Sequence, residues 1–118
     1  MKSIHDFQGV YLHREPVDMR KSINGLSAIV ELEAMGELQG RNLFIFTGRR
    51  RDVLKMLYFD RTGFALWTKR LEKDRFPWPR KLLDEVVTLS APQLEWLLDG
   101  VDVWQVRSFE NFQFERAI

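Results

Sequence analysis

Three consecutive arginines, Arg49, Arg50 and Arg51, are the residues of this sequence whose type and spacing best suit a chemical task. A guanidinium group is always charged and presents a planar fork of N–H donors, which can hold two oxygens of one phosphate. Three of them in one short connection between strands therefore predict contacts to successive phosphates of a nucleic acid. The alternative is a solvated turn that Asp52 partly neutralises, because charge runs usually lie on solvated faces.

The arginine run lies inside a basic middle segment that the total net charge of +1 conceals. Residues 41–81 contain twelve basic and four acidic residues. Residues 1–40 contain four basic and six acidic residues, and residues 82–118 contain two basic and seven acidic residues. The aromatic residues interleaved with the basic middle segment are Phe44, Phe46, Tyr58, Phe59, Phe64, Trp67, Phe76 and Trp78. This pattern is typical of a nucleic-acid-binding surface, and equally of a sheet core surrounded by solvated charges.

Alternation along two neighbouring predicted strands indicates a basic-aromatic platform. Successive side chains of a strand point to opposite faces, so Lys55 faces outward if Leu54 and Met56 face the core. Lys55 could then lie near Trp67 and Lys69 of the next strand. Such a platform would hold phosphates and stack bases, at about 1–3 kcal/mol per stacked base. The alternative is that Trp67 belongs to the core and Lys55 extends past it, because the sequence does not determine the register.

Further basic residues complete the predicted nucleic-acid contacts. They are Arg20, Lys21, Arg70, Arg75, Arg80 and Lys81. The last three flank two prolines that stiffen the backbone. In the same loop, Phe76 and Trp78 are candidates for docking a partner protein, or else they close one end of the core. Arg20 and Lys21 fall in the first turn of a predicted helix, where cations oppose the helix dipole, and this mild penalty suggests a functional use.

Patterns for catalysis or metal binding are scarce. The sequence has no cysteine, which excludes disulfides, thiolate metal sites and a cysteine nucleophile. His5 and His13 lack the spacing of a metal-binding pair. Asp18, Asp52 and Asp60 lie in separate loops, and their convergence into a two-metal nuclease site is an alternative that nothing in the sequence requires. We therefore expect no cofactor, no metal ion and no enzymatic activity.

The elements that must position these residues follow the order β-α-β-β-β-β-α. Strands are predicted at residues 9–13, 43–47, 53–59, 64–69 and 86–89, and helices at 19–34 and 91–98. Asp18 is the predicted N-cap of the first helix and Gly36 its stop, while Ser90 caps the second helix and Gly100 ends it. Short connections make the middle strands an antiparallel β-meander. We expect one compact α+β domain over residues 1–118, with a helix before the meander and a helix after it.

Targeting signals are missing from the sequence. The N-terminus has no apolar segment of the kind found in signal peptides, and no stretch approaches the length of a membrane span. We therefore expect a cytoplasmic protein without a membrane partner.

Three stretches of the sequence together carry a family resemblance. The first is VDMRKSINGL at 17–26. The second runs from LFIF at 43–46 through GRRRD at 48–52 and LKMLY at 54–58 to WP at 78–79. The third joins LS at 89–90, QL at 93–94, LL at 97–98 and GVD at 100–102. They resemble the TnpB-type accessory protein encoded by the second open reading frame of the insertion sequence 66 family of bacterial transposons. The family-like core spans residues 10–103. Asn24 stands where an acid is common, and residues 104–118 form an extension without a recognisable pattern.

The resemblance implies a non-enzymatic accessory factor of a mobile genetic element, with DNA recombination performed by a separate transposase. It implies no catalytic residues, and it favours nucleic-acid binding because Arg49–Arg51 and Lys69-Arg70 lie inside the matching motifs. We expect binding to transposon-end DNA, or to the transposase–DNA complex, through a basic sheet face. The alternative is a protein–protein adaptor for the transposase without intrinsic DNA binding. The sequence leaves open the DNA sequence bound, the step assisted and whether the chain forms a homo-oligomer.

Overall fold

Five strands form one mixed sheet. The computed structural model describes residues 4–79, 84–102 and 104. The strands are β1 (Gly9–His13), β2 (Asn42–Thr47), β3 (Val53–Asp60), β4 (Gly63–Arg70) and β5 (Val86–Leu89). Their order across the sheet is β4-β3-β2-β1-β5. Strands β2, β3 and β4 are successive antiparallel neighbours, which confirms the predicted meander. Helix α1 (Ile23–Leu32) precedes the meander and helix α2 (Ala91–Leu98) follows it, so the predicted α+β class is confirmed.

Strand β1 runs parallel to β2, a pairing that the sequence patterns do not indicate. Leu12 lies opposite Ile45 in this register, and on its other side β1 pairs antiparallel with β5. A parallel pair needs a long crossover connection, and the segment containing α1 supplies it. Because the two strands point the same way, the residues that follow His13 and those that follow Thr47 lie at the same end of the sheet.

Side-chain alternation buries both faces of the sheet. One face packs against α2, and its buried residues include Leu12, Ile45, Leu54, Met56, Leu94 and Leu97. The other face packs against α1, and its buried residues include Phe44, Phe46, Leu57, Leu26 and Val30. With a helix against each face, the sheet presents to solvent chiefly its two ends and its edge strands, so exposed functional groups are expected there.

Helix α1 begins later than predicted. Ser22 is its N-cap and Ile23 its first residue, so the predicted start at residue 19 with Asp18 as N-cap is wrong. The Asp18 carboxylate instead accepts the backbone N–H of Arg20 at 2.9 Å, and the Asp18 carbonyl accepts that of Lys21 at 3.0 Å. Such local bonds give the backbone an alternative to the helix. Arg20 and Lys21 therefore lie before the helix, and the argument from its dipole does not apply to them.

The end of α1 also differs from the prediction, whereas α2 matches it. Helix α1 ends at Leu32, and Ala34 adopts a left-handed φ of 49°, so Gly36 is not the stop. In α2, a capping box joins Ser90 and Gln93, with backbone-to-side-chain distances of 2.8 and 3.3 Å. Gly100 follows the helix with a φ of 81°, a conformation that glycine adopts readily. Among the described residues, no helix has the length and apolar character needed to cross a membrane.

Candidate nucleic-acid interface

The loop of residues 48–52 carries the three arginines from the end of β2 to the start of β3. Arg51 has a left-handed φ of 59°, which is uncommon for a residue with a side chain. Its N–H donates to the Gly48 carbonyl at 3.1 Å, and its carbonyl accepts the N–H of Phe76 at 2.6 Å. The loop backbone is therefore held from both sides. All three arginine side chains are exposed.

Two arginines from more distant parts of the sequence join the loop. Arg70 is the last residue of β4 and pairs with Val53, the first residue of β3. Arg75 directly precedes Phe76, whose N–H is bonded to the loop. Together these exposed residues form what we call the arginine rim: Arg49, Arg50, Arg51, Arg70 and Arg75.

The arginine rim is not neutralised within the described chain. The described ion pairs join His5 to Glu95, His13 to Glu33, Arg14 to Glu15 and Arg20 to Asp18. None of these pairs includes a rim arginine. Asp52, which the sequence offered as a neutralising group, forms no described ion pair; its backbone carbonyl accepts the N–H of Leu71 at 2.8 Å. The rim is thus an exposed group of cations suited to an external polyanion.

The predicted platform of Lys55, Trp67 and Lys69 is wrong. Residues directly opposite each other in an antiparallel pair share a face of the sheet. Trp67 lies opposite Met56, whereas Lys55 lies opposite Thr68. The core does lie beneath Met56, as assumed, but the register puts Trp67 on that same face. Trp67 packs against the core on the α2 side, and Lys55 projects to the α1 side.

Both lysines of the predicted platform bind backbone carbonyls. The Lys69 ammonium donates to the Leu98 carbonyl at 2.8 Å, at the C-terminus of α2, where a cation is favoured by the helix dipole. The Lys55 ammonium donates to the Lys21 carbonyl at 2.8 Å and so links β3 to the turn before α1. These contacts give both lysines a structural role, and nucleic-acid binding by them stays a prediction.

Phe76 and Trp78 do not present their rings for docking. Phe76 is 1% exposed and Trp78 is 7% exposed, and both pack in the α2-side core. The Trp78 indole N–H donates to the Arg14 carbonyl at 2.7 Å. The structure therefore agrees with the alternative reading, in which these residues close one end of the core. The predicted contacts Arg80 and Lys81 lie outside the described residues.

Among the predicted contacts that the structure describes, Arg20 is the one in an ion pair. Its guanidinium lies 2.7 Å from the Asp18 carboxylate. Hydrogen bonds from the Arg20 side chain and backbone hold the pKa of Asp18 well below its usual range, and the same contact raises the pKa of Arg20. A phosphate at Arg20 would compete with this carboxylate, so Arg20 is a weaker candidate than the rim arginines.

A nuclease site in which Asp18, Asp52 and Asp60 all meet cannot form. Asp52 precedes β3 and Asp60 ends it, which separates them by roughly 25 Å at the usual rise of a strand. Catalytic metal pairs lie about 4 Å apart, so these two carboxylates cannot share one. Within residues 4–79, 84–102 and 104, no three His, Asp or Glu side chains converge as a metal site would need.

A cleft of about 640 Å³ opens beside the rim, and its lining includes Arg51, Arg75 and Arg14. The sequence reasoning missed Arg14. Arg14 directly follows β1, and the parallel pairing of β1 with β2 brings it to the end of the sheet that carries the arginine loop. A strand at residues 9–13 was predicted, but its position beside β2 was not. The position of Arg14 near the rim could therefore be predicted only from the pairing of β1 with β2.

Comparison with known proteins identifies a family. A family model described as "IS66 Orf2 like protein" matches residues 8–108, a span that includes all five strands, both helices and the arginine rim. Two similar proteins come from Sinorhizobium fredii (strain NBRC 101917 / NGR234). The uncharacterized protein y4hO is 37% identical over 94 residues, which cover 79% of this chain and 80% of that protein. The uncharacterized protein y4jC is 32% identical over 93 residues, which cover 79% of each. No solved structure matches the chain.

Proposed function

The chain belongs to the family of IS66 Orf2-like proteins, and we propose that it assists transposition by binding DNA through the arginine rim. Family membership indicates an accessory role in transposition of an insertion sequence. The observation that supports DNA as the ligand is the gathering of five exposed arginines at one end of the sheet, none of them in a described ion pair. We propose that the protein acts at the transposon end, where it binds either the DNA alone or the complex of DNA with the transposase.

The chemistry of the rim favours contacts to the sugar–phosphate backbone. Guanidinium groups bind phosphate in a bidentate manner, and such contacts position a protein on DNA without reading its sequence. Trp67, the aromatic residue of the predicted platform, is turned toward the core, so the rim itself offers charge and little base stacking. We therefore expect salt-dependent binding in which the rim discriminates weakly between terminal-repeat DNA and other duplexes.

A gel-shift series tests this proposal. The triple variant R49A/R50A/R51A is compared with the wild type on terminal-repeat and random duplexes across a range of salt concentrations. The matched control is R61A, because Arg61 is also exposed and has a similar left-handed φ of 53°, but lies at the opposite end of β3. Weaker binding by the triple variant alone supports the proposal. Undetectable binding of the wild type at low salt, or equal binding by all three proteins, contradicts it.

A second candidate function is that of an adaptor for the transposase, and a surface at the C-terminal end of α2 favours it. Trp96 is 40% exposed and Val101 is 48% exposed, and the Val101 N–H donates to the Trp96 carbonyl at 2.9 Å, which holds the two residues together. The exposed acids Glu95 and Asp99 flank them. An aromatic side chain within a polar surround is typical of a protein-binding hot spot. This surface replaces Trp78 as the candidate for partner docking.

The adaptor function is tested by capture of the transposase. Transposase that stays bound after nuclease treatment, and that W96A fails to retain, would support an adaptor. Transposase that is released by nuclease in wild type and W96A alike would leave DNA as the link between the two proteins.

A further inference from the structure

We infer that the cleft beside the rim is a phosphate pocket, and that it takes the terminal phosphate of a DNA strand. This inference deepens the proposed DNA binding and rests on it for the identity of the ligand. The cleft lies between the residues after β1, the loop after β2 and the segment of residues 75–79, with Gly100, Asp102 and Trp104 on its remaining side. Its volume of about 640 Å³ is within the range of pockets that enclose small ligands.

Arg14 supplies the first observation that points to an anion. Its side chain is only 13% exposed, and one of its terminal nitrogens lies 3.0 Å from the Glu15 carboxylate. Its Nε is buried and has no hydrogen-bond partner in the described part of the chain. Buried donors of charged groups nearly always have an acceptor, and the Arg14 guanidinium would gain one by turning toward a phosphate oxygen in the cleft.

Arg51 and Arg75 bring two more guanidinium groups to the same cleft. Both residues line it, and both side chains are exposed and without a described ion pair. The acids among the described lining residues are Glu15, already paired with Arg14, and Asp102. Three cations and two carboxylates leave a small positive excess, which suits one phosphate better than a run of them.

The segments that carry the three arginines are tied to one another. The Trp78 indole donates to the Arg14 carbonyl at 2.7 Å, and the Phe76 N–H donates to the Arg51 carbonyl at 2.6 Å. On the far wall, the Trp104 indole donates to the Pro77 carbonyl at 2.8 Å. A binding site whose backbone is ordered before the ligand arrives loses less conformational entropy on binding.

The charge of the ligand decides which phosphate the cleft prefers. A phosphate monoester carries nearly two negative charges at neutral pH, whereas a phosphodiester within a strand carries one. A monoester at a strand end therefore gains more from three guanidinium groups. It also enters a cleft end-on, without the second strand segment that an internal phosphodiester brings.

The experiment measures binding of duplexes that have one sequence and differ only in their ends: 5′-phosphate, 3′-phosphate or hydroxyl. We expect wild type to bind one of the two phosphorylated duplexes about tenfold more tightly than the hydroxyl duplex. A difference of this size is what one charge-assisted hydrogen bond contributes. R75A and R14Q should abolish this preference, and R61A should retain it. Equal affinity of wild type for all three duplexes would overturn the pocket, even if DNA binding through the rim persisted.

The pocket can be judged separately if wild type binds none of these duplexes, an outcome that contradicts the proposed function. Calorimetry at constant ionic strength then measures the binding of three dinucleotides, which carry a 5′-phosphate, a 3′-phosphate or no terminal phosphate. Binding of a phosphorylated dinucleotide alone, lost in R75A, supports the pocket. Absence of binding, or equal binding of all three, overturns it. Arg75 is exposed, so R75A tests the site even if R14Q fails to fold.

Discussion

The N–H of Phe76 donates to the carbonyl of Arg51 at 2.6 Å, and this bond joins the loop after β2 to the segment after β4. Phe76 is at the same time 1% exposed, with its ring in the core. One residue therefore anchors the loop's backbone while its side chain is held by hydrophobic packing. This relationship explains how an exposed, charged loop can have a defined conformation.

We predict that the rim arginines contribute separately to DNA binding, including Arg70, which is distant from the loop in sequence. In R70A, the slope of the logarithm of the binding constant against the logarithm of salt concentration should decrease in magnitude by about 0.9, the value for one lost phosphate contact. Fluorescence anisotropy of labelled duplex DNA measures it. R61A should leave the slope unchanged. An identical slope in R70A and wild type would show that Arg70 makes no contact to phosphate.

Replacing Phe76 should affect stability first. F76A removes a fully buried ring and is expected to lower the free energy of unfolding by about 3–5 kcal/mol, measured by urea denaturation. W96A is the control, because Trp96 is 40% exposed and its loss should change stability much less. If F76A were as stable as wild type, the ring would not be part of the core.

Gly48 is expected to tolerate no side chain without movement of its neighbour. A Cβ at this position would lie 2.6 Å from Cγ of Met19, so G48A should destabilise the fold by about 1–3 kcal/mol. The double variant G48A/M19A should show a coupling that recovers part of this loss. G63A is the control, since a Cβ there meets nothing within 4 Å. Thermal unfolding of wild type, G48A, M19A, the double variant and the G63A control decides the matter, and additive effects of G48A and M19A would contradict the contact.

The Asp18–Arg20 pair predicts a dependence of stability on acid. Arg20 lowers the pKa of Asp18 in the folded chain, so the pair stabilises the fold above the ordinary aspartate pKa of about 4, and this contribution is lost as pH falls below it. Wild type should therefore exceed D18N in stability at pH 7, and this advantage should decrease progressively as pH falls below 4. Urea unfolding of both proteins across this range measures it. A difference that does not vary with pH would show that the pair adds nothing.

Local patterns predicted the elements well where the determining interactions are themselves local. The predicted limits of β2, β3 and β4 agree with the structure to within one residue at each end, because alternation and turn residues act over short distances. Helix α2 was predicted from Ser90 and Gly100 for the same reason. The start of α1 was predicted wrongly, because the carboxylate of Asp18 binds Arg20 and forms a turn where the helix was expected to begin.

By itself, the sequence determined the family, the meander and the presence of a basic middle segment with Arg49–Arg51 in a loop. Tertiary structure alone decided which charges meet. The register of β3 with β4 turned Trp67 toward the core and away from Lys55, because residues that pair across strands share a face. The parallel pairing of β1 with β2 brought Arg14 to the rim. The pairing of β1 with β2 depends on contacts between residues far apart in the chain, which no local pattern of hydrophobicity or charge encodes. The register of β3 with β4 depends instead on the exact turn between Asp60 and Gly63, which alternation along the strands does not specify.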